Sequence, residues 1–576
     1  MSGVSISDAE KAGVRAAIFT HLAGLAIAPT VGALWERGAI NVLTGAAGAL
    51  EFSEIVARTH ANAGYLRVAL RLLASCGWLT VQPGAIGTPN GASSAAAALG
   101  TPNGAPGAAA ALGTPKKDLA YKLTDEGRIA MTLAPLYSEL TSFFLPKALI
   151  LEDYVFGPSD EPLIPSLREL VQRAKDGWGI AAQDDPVTTR VRTLARGHLD
   201  GMLIGPAIVA LARHGVLDAL DDGPIDVHAL EGNAASLSCL FDLLTVPGWT
   251  AQTRQGVQLT GCGRYAAQIA SSYGVTVSYL PMFGVLPTLL FGNPRMPRID
   301  PSGFETMVNR AMNVWGSGGA HKTYFKKLDE VVVEIFNRPI HEQPRGICDM
   351  GSGDGSLLAH LYSVVRERTA RGRVLDEHPL MVVGADFNKV ARRATKQTLR
   401  AAGIPTSHVI YGDINRPAQL ASDLEALGHD VHDLLHIRSF LDHNRPYTRL
   451  ANYVSGSRTP HTTGAFAYLG EEIPADELEE SLVRHLRRWA PYIGRFGLLV
   501  LELHTLPPPL AAANLDRTPA VAYDGTHGFS DQYLVELSVF LDCAREAGLQ
   551  ADERFQARFP PSELATVSLN YFTAAG

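Results

Sequence analysis

The sequence predicts an α/β protein with a Rossmann-like, mostly parallel sheet in its C-terminal part and two mainly helical units before it. Three observations support this prediction. Strand and helix signals alternate after Arg345, a glycine-rich turn follows the first of these strands, and one N-terminal stretch recurs further along the chain. A chain of 576 residues has room for about three or four domains.

The composition is typical of a globular protein with ample core material, since 46% of the residues are hydrophobic and 19% are charged. The net charge of −8 argues against a large basic surface for nucleic acid. The five cysteines are widely spaced and indicate buried thiols in a reducing compartment. The N-terminus lacks a signal-peptide pattern, and "VSYLPMFGVLPTLLFG" falls short of the ~20 apolar residues of a membrane span. We expect a cytoplasmic protein without membrane or nucleic-acid partners.

An internal repeat organises the N-terminal part. "HLAGLAIAPTVGALWERGAINVL" (21–43) aligns without gaps on "HLDGMLIGPAIVALARHGVLDAL" (198–220), and "YKLTDEGRIA" (121–130) matches "VQLTGCGRYA" (257–266). Each unit predicts an apolar helix (65–76 and 235–246) followed by a two-stranded ribbon. This order is typical of a winged helix.

Composition also suggests the domain limits. An alanine-, glycine- and proline-rich repeat at about 84–117 has no large apolar side chains, so we expect a disordered insert there. The pattern at 324–336 predicts an amphipathic helix within a helical connecting or lid layer. We assign the first winged-helix-like unit to 1–145, the second to 146–270, the helical layer to 271–340 and the sheet domain to 341–576.

The sheet domain is predicted from five apolar runs separated by helical segments, which favours parallel strands. Two late runs, 552–559 and 565–572, have no helix between them, so we expect them to pair as an antiparallel hairpin at one edge. The five parallel strands are predicted at 346–350, 380–386, 407–411, 432–438 and 496–503.

Carboxylates and glycines follow the first three strands in a suggestive order. The loop "DMGSGDG" places Asp349 before glycines at every second position, unlike the G-x-G-x-x-G of dinucleotide sites or the Walker-A motif. An acid there suits a ligand with a cationic end. Asp386 ends the second strand and can accept both hydroxyls of a ribose, while Asp413 follows the third strand and can accept an adenine amino group.

This motif set resembles that of class I S-adenosylmethionine-dependent methyltransferases across 345–576. The resemblance implies that the glycine loop lines the methionine and ribose end of the donor, that Asp386 binds the ribose, and that Asp413 and Ile414 lie at the adenine. Small-molecule O-methyltransferases carry winged-helix modules for dimerisation and for roofing the substrate. The donor-site residues so implied are Asp349, Gly351, Gly353, Gly355, Asp386, Phe387, Asp413, Ile414 and Arg438.

Several histidines fall where substrate should bind. Asp442 and His443 follow the fourth strand, His504 follows the fifth, and "THGFSDQYLVEL" holds His527. Ligands bind beyond the carboxyl ends of such strands. One interpretation is a general base among Asp442, His443, Tyr447 and His527. The other is a mononuclear metal site of His443, His504 and Gln532, with Asp531, His527 or Asp442 as substitutes. His485, by contrast, is expected on the surface.

"FLDHNR", "ELH" and "HGFSDQ" together with two winged-helix-like units resemble the metal-dependent C-methyltransferase domains of polyketide synthase loading modules, of the apratoxin A and gephyronic acid type. The resemblance implies S-adenosylmethionine and a mononuclear iron or manganese as cofactors. It also implies C-methylation of a malonyl or methylmalonyl group on an acyl carrier protein, beside an acetyltransferase-like decarboxylase. A metal-independent O-methyltransferase using His443 or His504 as base, and a ligand-sensing winged-helix regulator, remain alternatives.

Overall fold

The computed structural model describes residues 6–83, 119–157, 164–181, 184–296, 298–300 and 305–574. The expected disordered insert at about 84–117 lies outside these residues. Two mainly helical units and a helical layer precede an α/β domain, in the predicted order.

The first unit pairs its ribbon strands across the insert, because β2 and β3 are antiparallel neighbours with β1 beside β3. Ser7 and Glu10 form a capping box that begins the first helix. The apolar helix predicted at 65–76 is present. The elements are α1 (Asp8–Glu36), α2 (Ala39–Thr44), β1 (Leu50–Glu51), α3 (Phe52–Thr59), α4 (Ala63–Ser75), β2 (Leu79–Pro83), β3 (Leu119–Leu123), α5 (Asp125–Met131), α6 (Ala134–Ala148) and α7 (Leu151–Phe156).

The second unit repeats this arrangement. In both units a threonine ends the ribbon and caps the next helix: Thr124 accepts from Gly127 N and Thr260 from Gly263 N. The predicted repeat is therefore a structural repeat. The elements are α8 (Ile164–Lys175), α9 (Pro186–Arg213), α10 (Val216–Ala219), α11 (Ala234–Leu243), β4 (Thr250–Thr253), β5 (Gly256–Leu259) and α12 (Gly261–Gln268).

The two units meet where α1 crosses α9. At Gly24 an added Cβ would lie 2.3 Å from the carbonyl oxygen of His198, and at Gly201 an added Cβ would lie 2.4 Å from the Cα of His21. The repeat places these glycines and histidines at equivalent positions. Because neither glycine has a side chain, the two helix backbones touch directly around a pseudo-twofold axis.

The histidines at this crossing obey the same symmetry. His21 Nδ1 bonds the hydroxyl of Tyr273 at 2.6 Å, and His198 Nδ1 bonds that of Tyr137 at 3.0 Å. Burial lowers the pKa of both imidazoles to about 3, so both are neutral. α1 and α9 are also long and apolar enough, by length and composition, to cross a membrane, but most of each apolar stretch is buried within the protein.

The helical layer ends in the amphipathic helix that the sequence predicts at 324–336. Its apolar residues Leu328, Val331 and Ile335 are buried against the sheet domain, which explains their helical spacing. The layer comprises α13 (Gly274–Ser278), α14 (Leu280–Gly284), α15 (Leu286–Phe291) and α16 (Arg310–Phe336).

The sheet domain contains the five predicted parallel strands, with bounds within two residues of those predicted. Its helices are α17 (Ser356–Arg368), α18 (Lys389–Ala401), α19 (Pro417–Ala426), α20 (Ala475–Ile493), α21 (Pro508–Ala512), α22 (Ala520–Gly528) and α23 (Leu537–Glu546). Its strands are β6 (Gly346–Met350), β7 (Met381–Asp386), β8 (Ser407–Tyr411), β9 (Leu434–Ser439), β10 (Phe466–Tyr468), β11 (Glu471–Ile473), β12 (Leu498–Leu503), β13 (Leu549–Ala551), β14 (Ala557–Phe559) and β15 (Val567–Ala574).

The main sheet has the order β13-β15-β12-β9-β6-β7-β8, with β14 also paired to β15, while β10 and β11 form a separate ribbon. The late hairpin of β14 and β15 is antiparallel and lies at one edge of the sheet, as predicted. β15 pairs with β12 on its inner side, and on its outer side β14 is joined by the short strand β13, which the sequence analysis missed. β15 is accordingly buried on both faces along most of its length.

Candidate active site

The glycine loop leaves β6 at the carboxyl edge of the sheet, where φ is +84° at Gly351 and +79° at Gly355. An added Cβ at Gly351 would lie 3.0 Å from the Leu441 side chain, and one at Gly355 would lie 2.9 Å from the Cα of Thr395. Only glycine satisfies both the left-handed backbone and the close approach. Between them, Gly353 N donates to the Asp386 carboxylate at 3.0 Å, so the loop is tied to the end of β7.

Asp349 is a buried carboxylate facing this loop. Its Oδ1 has no hydrogen-bond partner among the described residues. Burial, and then the negative charges of Asp386 and Asp354, raise its pKa to about 7. A buried, unpaired acid is costly unless a cation joins it. The geometry therefore fits the predicted partner, the amine-bearing end of a methyl donor.

The other predicted donor-site residues are distributed along the same edge. Asp386 also accepts from Asn388 N at 2.7 Å, and Phe387 beside it has 70% of its surface exposed. Asp413 accepts from Asn415 N at 2.9 Å. Ile414 packs in the core, where its carbonyl accepts from the Trp489 indole at 2.7 Å.

Arg438 and Asp442 form an internal ion pair. The guanidinium of Arg438 donates to Asp442 at 2.7 Å and lies 4.1 Å from the centre of the Trp489 ring. His485 Nε2 contacts the same carboxylate at 2.9 Å. Burial would raise the pKa of Asp442, but Arg438 and His485 outweigh it and hold the pKa below its ordinary value. The surface position predicted for His485 is wrong, because it is fully buried in this cluster. These contacts favour a structural role for Arg438 and Asp442.

His443 and His527 lie side by side beyond the strand ends, with ring centroids 5.1 Å apart. Glu502, on β12, binds Nδ1 of His443 and also accepts from its backbone N–H. Nδ1 of His527 is held by the Tyr523 carbonyl at 2.8 Å and by the Thr526 hydroxyl at 3.0 Å. Each imidazole is thus oriented through Nδ1, which leaves Nε2 for chemistry.

His504 does not join this pair. Its Nδ1 contacts the carbonyl of Val535 at 3.3 Å and its Nε2 contacts the hydroxyl of Ser568 at 2.7 Å, so both ring nitrogens have protein partners. Gln532 lies next to His527, because its backbone N–H donates to the carbonyl of His527 at 2.9 Å. Its side-chain N–H groups donate to Tyr279 and Ser530, and no group among the described residues donates to its Oε1.

Among the residues described, no three His, Cys, Asp or Glu side chains are grouped so as to hold a metal. The site therefore offers two imidazoles and one amide oxygen, from His443, His527 and Gln532. His527, predicted as a possible general base and as a substitute ligand, lies beside His443, whereas His504 does not. Tyr447 donates to Glu477, and burial together with that carboxylate raises its pKa, which disfavours a phenolate base.

The segment around His527 is held by the N-terminal units. α22 packs on α1 and α4, and Arg71 of α4 donates to Asp524 at 2.9 Å. Tyr65 donates to Asp531 at 2.8 Å, and Arg298 pairs with that carboxylate at 2.8 Å. Asp531 itself has φ +59°, a conformation that these contacts stabilise.

Sequence reasoning did not identify the residues that anchor the site: Glu502, Arg71, Tyr65 and Arg298. One of them left a visible signal. Glu502 is a charged residue inside the apolar run "LLVLEL", and a carboxylate in a buried strand needs a specific partner. The others lie far away in sequence and are recognisable only from the packing of α22.

Three family models match the chain. Residues 305–570 match the AprA MT2-like domain, a methyltransferase family. The chain is an S-adenosylmethionine-dependent methyltransferase. In this methyltransferase, residues 14–81 match the AprA N-terminal domain and residues 200–293 the AprA winged helix domain. The predicted class I core with winged-helix units is confirmed.

Solved structures similar to this methyltransferase are related at low sequence identity. PigF with SAH is 14% identical, covers 66% of this chain and 98% of its own, and has a TM-score of 0.38. Human N-acetylserotonin methyltransferase in complex with SAM is 14% identical, with coverage of 69% and 100% and a TM-score of 0.35. CurJ carbon methyltransferase is 12% identical, with coverage of 72% and 97% and a TM-score of 0.32. No curated protein sequence matches the chain.

Proposed function

We propose that the protein transfers the methyl group of S-adenosylmethionine to the α-carbon of a malonyl or methylmalonyl group carried on an acyl carrier protein, during polyketide starter-unit synthesis. The observation that carries the proposal is the pair of anchored imidazoles, His443 and His527. They lie beyond the same edge of the sheet as the glycine loop at 349–355, which is called the donor loop below. The AprA names of the matching families support the polyketide context.

The chain's own residues perform recognisable parts of this reaction. Asp349 would hold the donor amine, and Asp386 with the glycine loop would hold the ribose, at the same edge of the sheet as the histidines. The C–H bond of the substrate breaks and its proton passes to water, its electron pair forms the new C–C bond, and the S–CH₃ bond breaks to leave the neutral thioether. Fixed positioning of the two carbon atoms lowers the barrier to this displacement.

The residues present fit a mononuclear metal. Nε2 of His443, Nε2 of His527 and Oε1 of Gln532 would hold it, and Glu502 would be the carboxylate that orients a ligating histidine. Such a metal, when bound, supplies Lewis-acid stabilisation of the enolate charge on the malonyl oxygens.

A second function is favoured by the contact of His443 with Glu502. Because Glu502 binds Nδ1 of His443, Nε2 is the nitrogen left to accept a proton from a hydroxyl as that oxygen attacks the methyl group. This is the metal-independent O-methyltransferase. In this alternative His443 is a base, whereas in the first proposal it is a ligand.

One experiment separates these functions. The protein is analysed for bound metal and then incubated with S-adenosylmethionine and malonyl-loaded carrier protein, with Fe(II), with Mn(II) or with a chelator, and the acyl group is weighed. We expect a mass gain of one or two methylene groups that the chelator abolishes. We expect His443→Ala and His527→Ala to lose metal and turnover, and His504→Ala to retain metal. Chelator-resistant methylation of hydroxylated small molecules would support the second function, and no gain on any acyl group would reject the first.

A further inference from the structure

Helix α18, which follows the donor-site strand β7, is unusually basic. Its sequence "KVARRATKQTLRA" contains five lysines and arginines and no acidic residue. Four of these residues, Lys389, Arg393, Lys396 and Arg400, are exposed, and they are spaced by four, three and four positions. This spacing places them along one face of the helix, which we call the cationic stripe. The opposite face, with Thr395 and Leu399, is buried.

Among the described residues, the cationic stripe has no ion-pair partner. Within the part of the chain that the structure describes, no carboxylate forms an ion pair with any of its four side chains. The fifth base differs, because Arg392 donates to the carbonyls of Asp386 and Phe387 at 2.7 and 2.8 Å. Like charges one turn apart destabilise a helix by about 0.2–0.5 kcal/mol per pair. The four like charges thus repel one another along the helix, and no ion pair among the described residues offsets this repulsion.

Other exposed arginines of the sheet domain do form ion pairs. Arg484 pairs with Glu480 at 2.6 Å, and Arg368 pairs with Asp329 at 2.7 Å. The whole chain carries a net charge of −8. A row of four unpaired cations on such a protein is therefore a local exception to the way its surface charges are arranged.

The position of the stripe connects it with the active site. α18 begins three residues after Asp386, and the Asn388 side chain caps it by accepting from Val390 N at 2.7 Å. Lys389 consequently lies at the carboxyl edge of the sheet, where the donor loop ends. The stripe starts at this edge and continues down the outer face of the domain.

We propose that the cationic stripe is the docking surface for the acidic carrier protein that brings the acyl substrate. This inference rests on the proposed function, which requires a protein-bound substrate at the adjacent edge. Charge complementarity favours a small acidic protein, because a single stripe on a negatively charged chain attracts a compact anionic partner and orients it. Duplex nucleic acid is disfavoured by the overall negative charge, which repels a long polyanion beyond the stripe.

The test reverses two central charges, in Arg393→Glu/Lys396→Glu. The matched control is Arg37→Glu/Arg254→Glu, which makes the same change of net charge at two exposed arginines of the N-terminal units. Arg392 is left intact because it supports the donor-site backbone. Initial rates are measured with malonyl-loaded carrier protein and with a small malonyl thioester, at two salt concentrations, and donor Kd is measured for each variant.

We expect the stripe variant to raise KM for the carrier-bound substrate at least about tenfold and to weaken its salt dependence. Donor Kd and the rate with the small thioester should stay at wild-type values, as should all rates of the control. An unchanged KM in the stripe variant, with an active wild-type protein, would overturn the docking proposal. If the stripe variant loses binding to duplex DNA while its KM for the carrier-bound substrate stays unchanged, the stripe binds nucleic acid and the docking proposal is wrong. Failure of the wild-type protein on both substrates would instead reject the proposed function.

Discussion

The tether between the N-terminal units and the active site can be tested at Arg71. Its side chain, with 6% of its surface exposed, reaches from α4 to helix α22 and to two loops of the sheet domain. Nε donates to Asp524 at 2.9 Å, Nη2 donates to the Thr505 hydroxyl and the Leu506 carbonyl at 2.7 Å each, and Nη1 donates to Thr463. Arg71→Ala removes all of these contacts at once.

The loss of stability expected for Arg71→Ala follows from the burial of both partners of the Arg71–Asp524 ion pair. Asp524 is only 4% exposed, so Arg71→Ala leaves a buried carboxylate without its cation, which costs about 3–5 kcal/mol. Asp524 lies one helical turn before His527 on α22, so any shift that rehydrates the carboxylate also moves the imidazole. A displacement of about 1 Å in a catalytic group reduces turnover by about 10²-fold. We therefore expect lower stability and lower kcat together.

The assay combines denaturant unfolding, kcat and donor Kd. Arg71→Ala should unfold at a lower denaturant concentration and lose about 10²-fold in kcat, with donor Kd unchanged, because Arg71 does not touch the donor loop. Arg71→Lys should recover part of both losses. Adding Asp524→Ala to Arg71→Ala should restore some stability by removing the unpaired charge, but no activity. Wild-type stability and kcat in Arg71→Ala would refute the argument.

Three further predictions concern the donor site, the histidine pair and the helix crossing. Because the pKa of Asp349 is raised to about 7 in the folded state, the donor-free protein holds a proton there that the unfolded chain has already released. Its unfolding free energy should therefore fall as the pH rises from about 4 to about 7, by at most about 4 kcal/mol, and Asp349→Asn should flatten this slope in denaturant unfolding at a series of pH values. Glu502→Gln keeps the shape of the partner of His443 but removes its charge. We expect kcat to fall about tenfold, because a hydrogen bond to a neutral partner is weaker than one to a charged partner by about that factor. Donor Kd, measured in a binding titration, should stay constant. An equal loss of donor affinity would instead mean general damage to the edge of the sheet. Gly24→Ala should destabilise the protein by about 1–3 kcal/mol because its Cβ would meet the backbone of α9, whereas Gly13→Ala in the same helix has open space and should stabilise it by up to about 1 kcal/mol. Similar thermal shifts for the two alanine variants would contradict the close crossing.

Much of the fold was predictable because its signals are local. The five parallel strands are apolar runs buried on both faces, and the glycines of the donor loop have backbone angles that other residues rarely adopt. The repeat was equally visible, since Gly24 and Gly201 are conserved between the two copies by the same close contact. The short strand β13 was not predictable, because it has only three residues and is recognisable only from its pairing with β15.

The sequence by itself determined the chain's architecture and the glycine loop predicted to hold the methyl donor, since hydrophobic periodicity and glycine conformation are properties of short segments. Only the tertiary structure decided the partners across the crevice. His443 and His504 follow neighbouring strands, yet Ser568 and Val535 occupy both nitrogens of His504, while α22 brings His527 beside His443. Whether a histidine nitrogen is available for a ligand depends on which protein groups already bind it. Those groups come from segments that only the folded chain brings together.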